Sequence, residues 1–214
     1  QVGRHAAELV ATTIRERPRA VLGLSTGATP ELFYAELGKL HDSGLDFSGL
    51  TTFILDEYVG REKDSPLTFA SYMDRHFYSK VNVPGQQRHS LNSLTTNPQA
   101  ECKCYDREIK EAGGFDFIVL GIGGNGHIAF NEPSHFLTLE THLERLSEET
   151  IRANDLGTAE KNNSSLSAPT TKTFPTHAMT IGIEAIFNAR TVLLLATGGA
   201  KAEAIAKMVE GHIT

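Results

Sequence analysis

The stretch that decides the fold is Phe115-Asp-Phe-Ile-Val-Leu-Gly-Ile-Gly-Gly-Asn-Gly-His-Ile-Ala-Phe-Asn-Glu-Pro133. It opens with an uninterrupted apolar run over residues 117–120, which is typical of a strand buried on both faces. Four glycines then follow within six residues, and such a segment can turn sharply and let a ligand approach its backbone. His127 and Glu132 come after the glycines. The stretch therefore predicts a central strand that leads directly into a functional site.

Two other interpretations of this stretch stay open. The spacing Gly121-x-Gly123-x-x-Gly126 matches the dinucleotide-binding fingerprint, which needs a long helix from its third glycine and an acidic residue about twenty positions further on. Pro133 follows only seven residues after Gly126, and segment 144–149 is polar rather than strand-like, so the pattern disfavours nucleotide binding. A glycine turn without chemistry is the second alternative, because nine histidines in 214 residues make any single histidine weak evidence.

Composition places the chain among ordinary globular proteins. Its 214 residues suit one domain, with 40% hydrophobic and 21% charged residues. The net charge of −6 argues against a nucleic-acid partner, which would need a basic face. Cys102 and Cys104 lie two apart in a helical pattern and point to different faces, so we expect reduced thiols of a cytoplasmic protein rather than a disulfide or a zinc site. The sequence shows no signal peptide or membrane-length apolar run, and we expect no membrane partner.

A second strand and turn predict donors for an anion. Residues 20–24 form a short apolar run, and Ser25-Thr26-Gly27-Ala28-Thr29 follows as a turn. We expect Thr29 to cap a helix whose first residue is Pro30. A helix N-terminus behind a glycine turn presents free backbone N–H groups and the positive end of the helix dipole to an anion. An ordinary connection between a strand and a helix is the alternative.

The same pattern recurs near the end of the chain. Residues 191–196 predict a strand, Thr197-Gly198-Gly199 a turn, and a helix is expected from Ala200. Lys201 falls in the first turn of that helix, where a cation opposes the dipole. A bound anion would remove this cost, although a solvated surface lysine remains the alternative.

A pair of carboxylates follows another predicted strand. Asp56 and Glu57 stand at the end of the apolar segment 51–55. Adjacent strand residues point to opposite sides, so the two carboxylates should not act on one substrate atom. We expect one of them to face the cleft and the other to hold structure.

Strands that alternate with helices predict an α/β fold. We expect a doubly wound, mostly parallel sheet with helices on both faces, which is a three-layer Rossmann-like architecture. Helices should open at Ser65-Pro66 and at Asn97-Pro98, residues 178–183 should add a strand, and the polar segment 162–173 should be a surface loop or lid. Ligands of such sheets bind outside the carboxyl ends of the strands. The turn after residue 24, Asp56, the glycine-rich segment and Lys201 should therefore converge on one cleft.

Three motifs give the chain a family resemblance. Leu24-Ser-Thr-Gly-Ala-Thr-Pro30, Leu55-Asp-Glu-Tyr-Val-Gly60 and Gly121-Ile-Gly-Gly-Asn-Gly-His-Ile-Ala-Phe-Asn-Glu-Pro133 resemble the glucosamine-6-phosphate deaminase (isomerase) family, and the likeness extends over almost the whole chain. The related 6-phosphogluconolactonases share the fold and the first glycine turn. They lack the Asn-Glu-Pro element and carry Asp-Glu-Arg where this chain has Asp-Glu-Tyr.

The resemblance implies an activity and a role for each site residue. Glucosamine 6-phosphate and water would give fructose 6-phosphate and ammonia, without a cofactor or a metal. His127 would open the pyranose ring by shuttling the O5 proton, with Glu132 and Asn125 orienting its imidazole, and Asp56 would move the C2 proton to C1 through an enolamine. An imidazole can give and take a proton near neutral pH, and a carboxylate beside it raises its pKa. Because some members carry Asp where Asn125 stands, we expect the His127 pKa to be raised less here. The expected substrate-binding residues are Ser25, Thr26, Gly27, Ala28, Thr29 and Lys201.

Two departures from the family pattern bear on binding. Members under allosteric control carry a Ser-Arg-Thr-Arg run where this chain has Leu139-Glu140-Thr141-His142, so we do not expect activation by N-acetylglucosamine 6-phosphate. The family also places a phosphate-binding Arg where this chain has Leu156. We expect a cation from the polar loop to replace it, and the candidates are Arg152, Lys161 and Lys172.

Several alternatives stay open at this point. The chain could act on galactosamine 6-phosphate or another sugar phosphate, or it could be a non-catalytic sugar-phosphate-binding regulator. A monomer and a homo-oligomer are both compatible with the sequence. We expect residues 1–214 to form one sugar-phosphate isomerase/deaminase domain that is incomplete at both termini, because the chain starts without Met inside a helical pattern and the family would add a strand after Gly211.

Overall fold

The computed structural model describes residues 1–62, 65–161 and 174–211, except for the side chains of residues 155–161. The expected lid segment 162–173 lies outside the described residues. The strands are β1 (Val21–Leu24), β2 (Thr51–Ile54), β3 (Asp56–Tyr58), β4 (Arg88–His89), β5 (Phe117–Gly121), β6 (His142–Arg145), β7 (His177–Thr180) and β8 (Val192–Leu195). The α-helices are α1 (Val2–Glu16), α2 (Glu31–Asp42), α3 (Phe69–His76), α4 (Pro98–Glu111), α5 (Glu148–Lys161), α6 (Ile183–Phe187) and α7 (Ala202–Glu210).

The main sheet is parallel and has β1 at its centre. Its order is β4-β2-β1-β5-β8, and each pair of neighbours runs parallel. Side chains on alternate positions of the strands build two cores, one on each face of the sheet. One core packs against α1, α2 and α3, and the other packs against α4 and α6. The predicted doubly wound sheet with helices on both faces is confirmed.

A second sheet departs from the predicted arrangement. The strand expected at residues 178–183 is β7, and it lies between β3 and β6 in a separate antiparallel sheet. β6 and the start of α5 occupy a region whose polar sequence showed no strand or helix pattern. β6 is held by backbone pairing while its side chains stay largely half-buried, so its sequence carries little alternation.

Helix starts follow local capping, and two of the predicted starts are wrong. α2 begins at Glu31 after Pro30, without a side-chain cap, so Thr29 is not its cap. α3 begins at Phe69 rather than at Ser65, because the Thr68 hydroxyl accepts the Ser71 N–H. The start of α4 is confirmed, with the Asn97 side chain capping the Ala100 N–H. A 3₁₀ turn over Gly199–Lys201 precedes α7.

Three further features of the described residues bear on partners. Cys102 and Cys104 are both free thiols, as predicted. No described helix is both long enough and apolar enough to cross a bilayer. In the described ranges, histidine, cysteine and acidic side chains form no cluster of three that could hold a metal ion.

Glu57 ties the second sheet to α3. Its carboxylate is only 1% exposed and accepts the backbone N–H groups of Tyr58 and Phe69 on Oε1, at 2.9 and 3.1 Å, and that of Ala70 on Oε2, at 3.1 Å. Two of these donors lie at the N-terminus of α3, where backbone N–H groups have no partner within the helix. Glu57 is therefore the structural member of the carboxylate pair.

We expect Glu57→Gln to lower the free energy of unfolding by about 1–3 kcal/mol, the cost of leaving a buried donor unpaired. The amide nitrogen of glutamine cannot accept a hydrogen bond, so at least one of the three N–H groups loses its partner. Urea unfolding measures the change, with Glu62→Gln at an exposed position as the control. Equal stabilities of the two variants would show that Glu57 does not anchor α3.

Candidate active site

The predicted site segments lie at one edge of the main sheet. Strands β2, β1, β5 and β8 are parallel neighbours, so the segments after them emerge on the same side. Short-range effects link some of these segments. The Tyr34 hydroxyl donates to the Ser25 carbonyl at 2.6 Å, and the charge of Asp56 helps to raise the pKa of Tyr34. The charge of Lys201 helps to lower the pKa of His127. The four predicted features thus follow neighbouring parallel strands at one edge of the main sheet, and their convergence on one cleft stays a prediction.

The glycines after β5 make room for an imidazole. A Cβ atom on Gly123 would lie close enough to the His127 ring to overlap it, so the ring packs directly on the bare backbone of Gly123. The Gly123 N–H donates to the His127 carbonyl at 2.8 Å, and Gly126 turns the chain with a φ of 94°. No helix opens at Gly126, since the next element in the chain is β6. The glycines that match the dinucleotide-binding fingerprint therefore make room for the His127 ring and turn the chain.

The segment is held against the second sheet. The Phe130 N–H donates to Thr180 Oγ1 at 3.0 Å, and Thr180 pairs with Asp56 across β7 and β3. Asn131 donates to the carbonyls of Ile128 and Ile181, each at 3.0 Å. These hydrogen bonds fix the position of the segment that carries His127 relative to β3, the strand that carries Asp56.

Asn125 connects His127 to Glu132. Its Oδ1 accepts the His127 backbone N–H at 3.2 Å, and its Nδ2 donates to Glu132 Oε2 at 2.8 Å. Glu132 Oε2 lies 3.9 Å from His127 Nδ1, which is too long for a hydrogen bond. The Glu132 carboxylate therefore acts on the imidazole through its charge rather than through a direct hydrogen bond.

Thr150 is a site residue that the sequence reasoning missed. It is 2% exposed, and its hydroxyl lies 3.3 Å from His127 Nδ1. The Ser147 hydroxyl donates to Thr150 Oγ1 at 3.0 Å and accepts the Thr150 N–H at 3.1 Å, as a cap at the start of α5 does. Ser147 as a cap residue, followed by Glu148 and Glu149 in the first turn, could have indicated this helix start.

Burial and hydrogen bonding shift the two ionisable groups of this cluster. Burial lowers the pKa of His127, Glu132 opposes that effect, and Lys201 adds to it. The expectation of a raised His127 pKa is wrong, because loss of water outweighs a carboxylate at 3.9 Å. Burial alone would raise the pKa of Glu132, but hydrogen bonds from Thr150, the Ser147 N–H and Asn125 lower it overall. Glu132 is therefore ionised and His127 neutral near pH 7.

Asp56 has the opposite environment. It is buried, and its Oδ1 finds no hydrogen-bond partner among the described residues. Burial, with a smaller contribution from the charge of Glu57, raises the pKa of Asp56 to about 8. A base must be ionised to take a proton, whereas this environment stabilises the neutral carboxyl of Asp56. A carboxylate with a raised pKa is a stronger base once it has lost its proton.

The turn after β1 offers donors to an anion. Within the part of the chain that the structure describes, no acceptor pairs with the backbone N–H groups of residues 26–29, and the buried Ser25 hydroxyl also lacks a partner. The Tyr72 hydroxyl donates to the Gly27 carbonyl at 2.6 Å, and Gly27 has a φ of 112°. These features favour a cradle of N–H groups for a phosphate.

The cations expected to replace the missing arginine are only partly visible. Arg152 is 75% exposed and pairs with Glu148 at 2.8 Å on the surface of α5. The side chains of Lys161 and Leu156 and all of Lys172 lie outside the described residues. Lys201 is the cation of the predicted set whose charge acts on the described site.

Comparison with known proteins extends the resemblance over the full chain. A family model described as glucosamine-6-phosphate isomerases/6-phosphogluconolactonase matches residues 1–213. A glucosamine-6-phosphate deaminase of Alkaliphilus oremlandii is 39% identical over 213 residues, which cover 99% of this chain and 84% of that protein. A second deaminase, from Clostridium acetobutylicum, is 41% identical over 215 residues, with coverages of 100% and 85%. A solved structure of a monomeric glucosamine-6-phosphate deaminase has a TM-score of 0.91 and 38% identity, and the match covers 100% of this chain and 85% of that one.

We expect Gly123→Ala to displace the His127 imidazole, because the added methyl group would overlap the ring. A displaced ring gains water, so its pKa should rise toward the ordinary value for histidine. An NMR titration of the imidazole measures this change. Gly124→Ala is the matched control, since its Cβ would approach only Glu149 Oε1, at 3.9 Å. An unchanged His127 titration in Gly123→Ala would contradict the packing described above.

We expect Asp56→Asn to change how stability depends on pH. Folded Asp56 has a pKa of about 8, and the unfolded chain titrates near 3.8. Between these values the folded state keeps a proton that the unfolded state has released, so the wild-type free energy of unfolding falls as pH rises, by at most about 1.4 kcal/mol per pH unit. Asparagine cannot ionise, so the free energy of unfolding of the variant should rise relative to that of the wild type as pH increases across this window.

Urea unfolding at several pH values between about 4.5 and 7.5 tests this expectation, with Glu62→Gln as the control. Parallel pH profiles for Asp56→Asn and the wild type would mean that Asp56 ionises as readily in the folded protein as in the unfolded chain.

Proposed function

The chain belongs to the family of glucosamine-6-phosphate isomerases and 6-phosphogluconolactonases, and we propose that it acts as a glucosamine-6-phosphate deaminase. The reaction is an aldose–ketose isomerisation with deamination, in which glucosamine 6-phosphate and water give fructose 6-phosphate and ammonia. The observation that carries the proposal is a pair of buried acid–base groups, Asp56 and His127, at the same sheet edge as a turn of free N–H groups. A simple binding protein has no need of such a pair. Residues 1–214 act as one sugar-phosphate isomerase/deaminase domain.

In this proposal the turn after β1 binds the phosphate group of the substrate. The N–H groups of residues 26–29 and the Ser25 hydroxyl meet the phosphate oxygens, and Lys201 supplies a positive charge. The net charge of the chain is −6, so these local donors rather than the overall field hold the anion. A bound phosphate also removes the unfavourable placement of Lys201 ahead of α7.

Ring opening falls to His127. Its neutral imidazole takes the proton from the O1 hydroxyl of the pyranose and returns it to O5 as the C1–O5 bond breaks and the C1–O1 double bond forms. The imidazole of His127 is therefore neutral both before and after ring opening. A lowered pKa suits this role, because the imidazole must be unprotonated when the substrate arrives. Asn125 supports the loop by bridging the His127 N–H and Glu132, and the Glu132 carboxylate supplies negative charge for the transient imidazolium.

Isomerisation falls to Asp56. In its ionised form it removes the C2 proton of the open-chain aldehyde while a proton of the C2 ammonium group passes to O1, which gives an enolamine. As an acid it then returns the proton to C1, which leaves an iminium at C2. Water adds to C2, the C2–N bond breaks as the C2 carbonyl forms, and the nitrogen leaves as ammonia with the remaining proton. Glu57 does not share this step, since its carboxylate is occupied by three backbone N–H groups. No cofactor enters the proposal, and the free thiols suit a protein of the cytoplasm.

We expect Asp56→Asn to lower kcat by about 10²–10⁴, the usual contribution of a general base, while KM changes little. Ammonia release from glucosamine 6-phosphate and from galactosamine 6-phosphate, measured side by side, tests the activity and the choice of epimer. Glu8→Gln, at an exposed position of α1, is the control and should retain full activity. Activity of Asp56→Asn within a few-fold of the wild type would remove Asp56 from the mechanism, and a wild type inactive on both sugars would favour a regulator.

A further inference from the structure

The His127 ring and the Glu132 carboxylate are too far apart for a hydrogen bond, and the Thr150 side chain lies beside the ring. Glu132 Oε2 is 3.9 Å from His127 Nδ1, so the carboxylate does not hydrogen-bond to the ring. The Thr150 hydroxyl lies 3.3 Å from the same nitrogen, and it helps to lower the pKa of Glu132, whose Oε1 accepts the N–H of the neighbouring Ser147 at 3.0 Å. It is buried, so water does not compete for these contacts.

We propose that Thr150 is a positioning residue that couples Glu132 to His127 and keeps the imidazole proton on Nδ1. The inference rests on the proposed ring-opening role of His127. Thr150 itself touches no substrate atom in this proposal. It acts by deciding which ring nitrogen is the base.

The hydrogen-bond capacity of the hydroxyl leads to this assignment. A threonine hydroxyl has one hydrogen to donate and two lone pairs. The Ser147 hydroxyl donates to Thr150 Oγ1 at 3.0 Å and occupies one lone pair. The remaining hydrogen goes to Glu132 or to His127 Nδ1. An ionised carboxylate is a stronger acceptor than a neutral imidazole nitrogen, so the hydrogen goes to Glu132.

The second lone pair of Thr150 then accepts the Nδ1–H of His127. His127 Nε2 keeps its lone pair, and it has no hydrogen-bond partner in the described part of the chain. Nε2 is therefore the nitrogen free to take the O1 proton of a pyranose. When Nε2 is protonated, the chain from Nδ1–H through Thr150 to Glu132 is already in place, so the imidazolium forms without rearrangement.

The start of α5 holds Thr150 in this position. The Thr150 N–H donates to Ser147 Oγ at 3.1 Å, and the Ser147 N–H donates to Glu132 Oε1 at 3.0 Å. The helix start therefore binds both the hydroxyl and the carboxylate. The other charges that act on His127 are Glu149 and Lys201, and neither is hydrogen-bonded to its ring.

Kinetics of two variants test the coupling. Thr150→Val removes the hydroxyl at nearly constant volume, and Thr150→Ser keeps the hydroxyl. We expect Thr150→Val to lower kcat on glucosamine 6-phosphate by about 10- to 100-fold, the scale of one charge-assisted hydrogen bond, with KM within about two-fold. Thr150→Ser should recover most of this loss. Solvent deuterium exchange at C1 of fructose 6-phosphate, which is partly open-chain, should fall less than turnover of the closed pyranose.

A spectroscopic measurement tests the assignment without reference to activity. ¹⁵N NMR of the imidazole, assigned with His127→Gln, should show Nδ1 protonated in the neutral wild type and in Thr150→Ser. Thr150→Val should shift the ring toward the form with the proton on Nε2. If Thr150→Val does not fold, Thr150→Ala serves in its place, and the wild-type spectrum needs no variant.

Two results would overturn the proposal. One is a wild-type ring protonated on Nε2, and the other is a valine or alanine variant that keeps both the wild-type spectrum and the wild-type kcat. If the protein releases no ammonia but its ring is protonated on Nδ1 and responds to Thr150→Val as expected, the proposed function fails while the coupling stands.

Discussion

The parallel pairing of β1 with β2 on one side and with β5 on the other is the constraint on which the rest of the structure depends. It brings the ends of these strands to one edge and so sets the turn after β1, Asp56 and the His127 segment side by side. The antiparallel sheet completes the arrangement, because the Thr180 hydroxyl holds the His127 segment against the strand that carries Asp56. Chemistry that needs groups from distant parts of the chain thus becomes local at the sheet edge.

Burial tunes the two acid–base groups in opposite directions. Loss of water disfavours any charged form, so it raises the pKa of Asp56 and lowers that of His127. The free site near pH 7 then holds a neutral acid and a neutral base. Glu132 escapes this rule because several donors converge on its carboxylate and keep it ionised. The negative charge of Glu132 therefore stands beside the imidazole, where a transient imidazolium would need it.

Helix N-termini supply much of the support for these groups. Glu57 binds the first N–H groups of α3, and the start of α5 binds Glu132 through the Ser147 N–H. In both places a carboxylate from another element satisfies helix donors that have no partner of their own. The same physical rule makes the turn before α2 a suitable place for a phosphate, where the described donors have no protein acceptor. The carboxylates and the proposed phosphate site thus correspond to equivalent positions on different helices.

The sequence by itself determined the parallel sheet and the family, and it predicted that the candidate site residues follow the strands, because apolar runs, glycine turns and the His-Ile-Ala-Phe-Asn-Glu-Pro segment are local signals. It also predicted that one carboxylate of the Asp56–Glu57 pair would be structural. The tertiary structure decided which one it is, the sign of the His127 pKa shift, and the membership of Thr150 in the site. Each of these depends on burial and on partners more than ten residues away, such as Ala70 for Glu57 and His127 for Thr150. Contacts between residues far apart in the chain produce no periodic pattern in a sequence, so only the folded structure could decide these three properties.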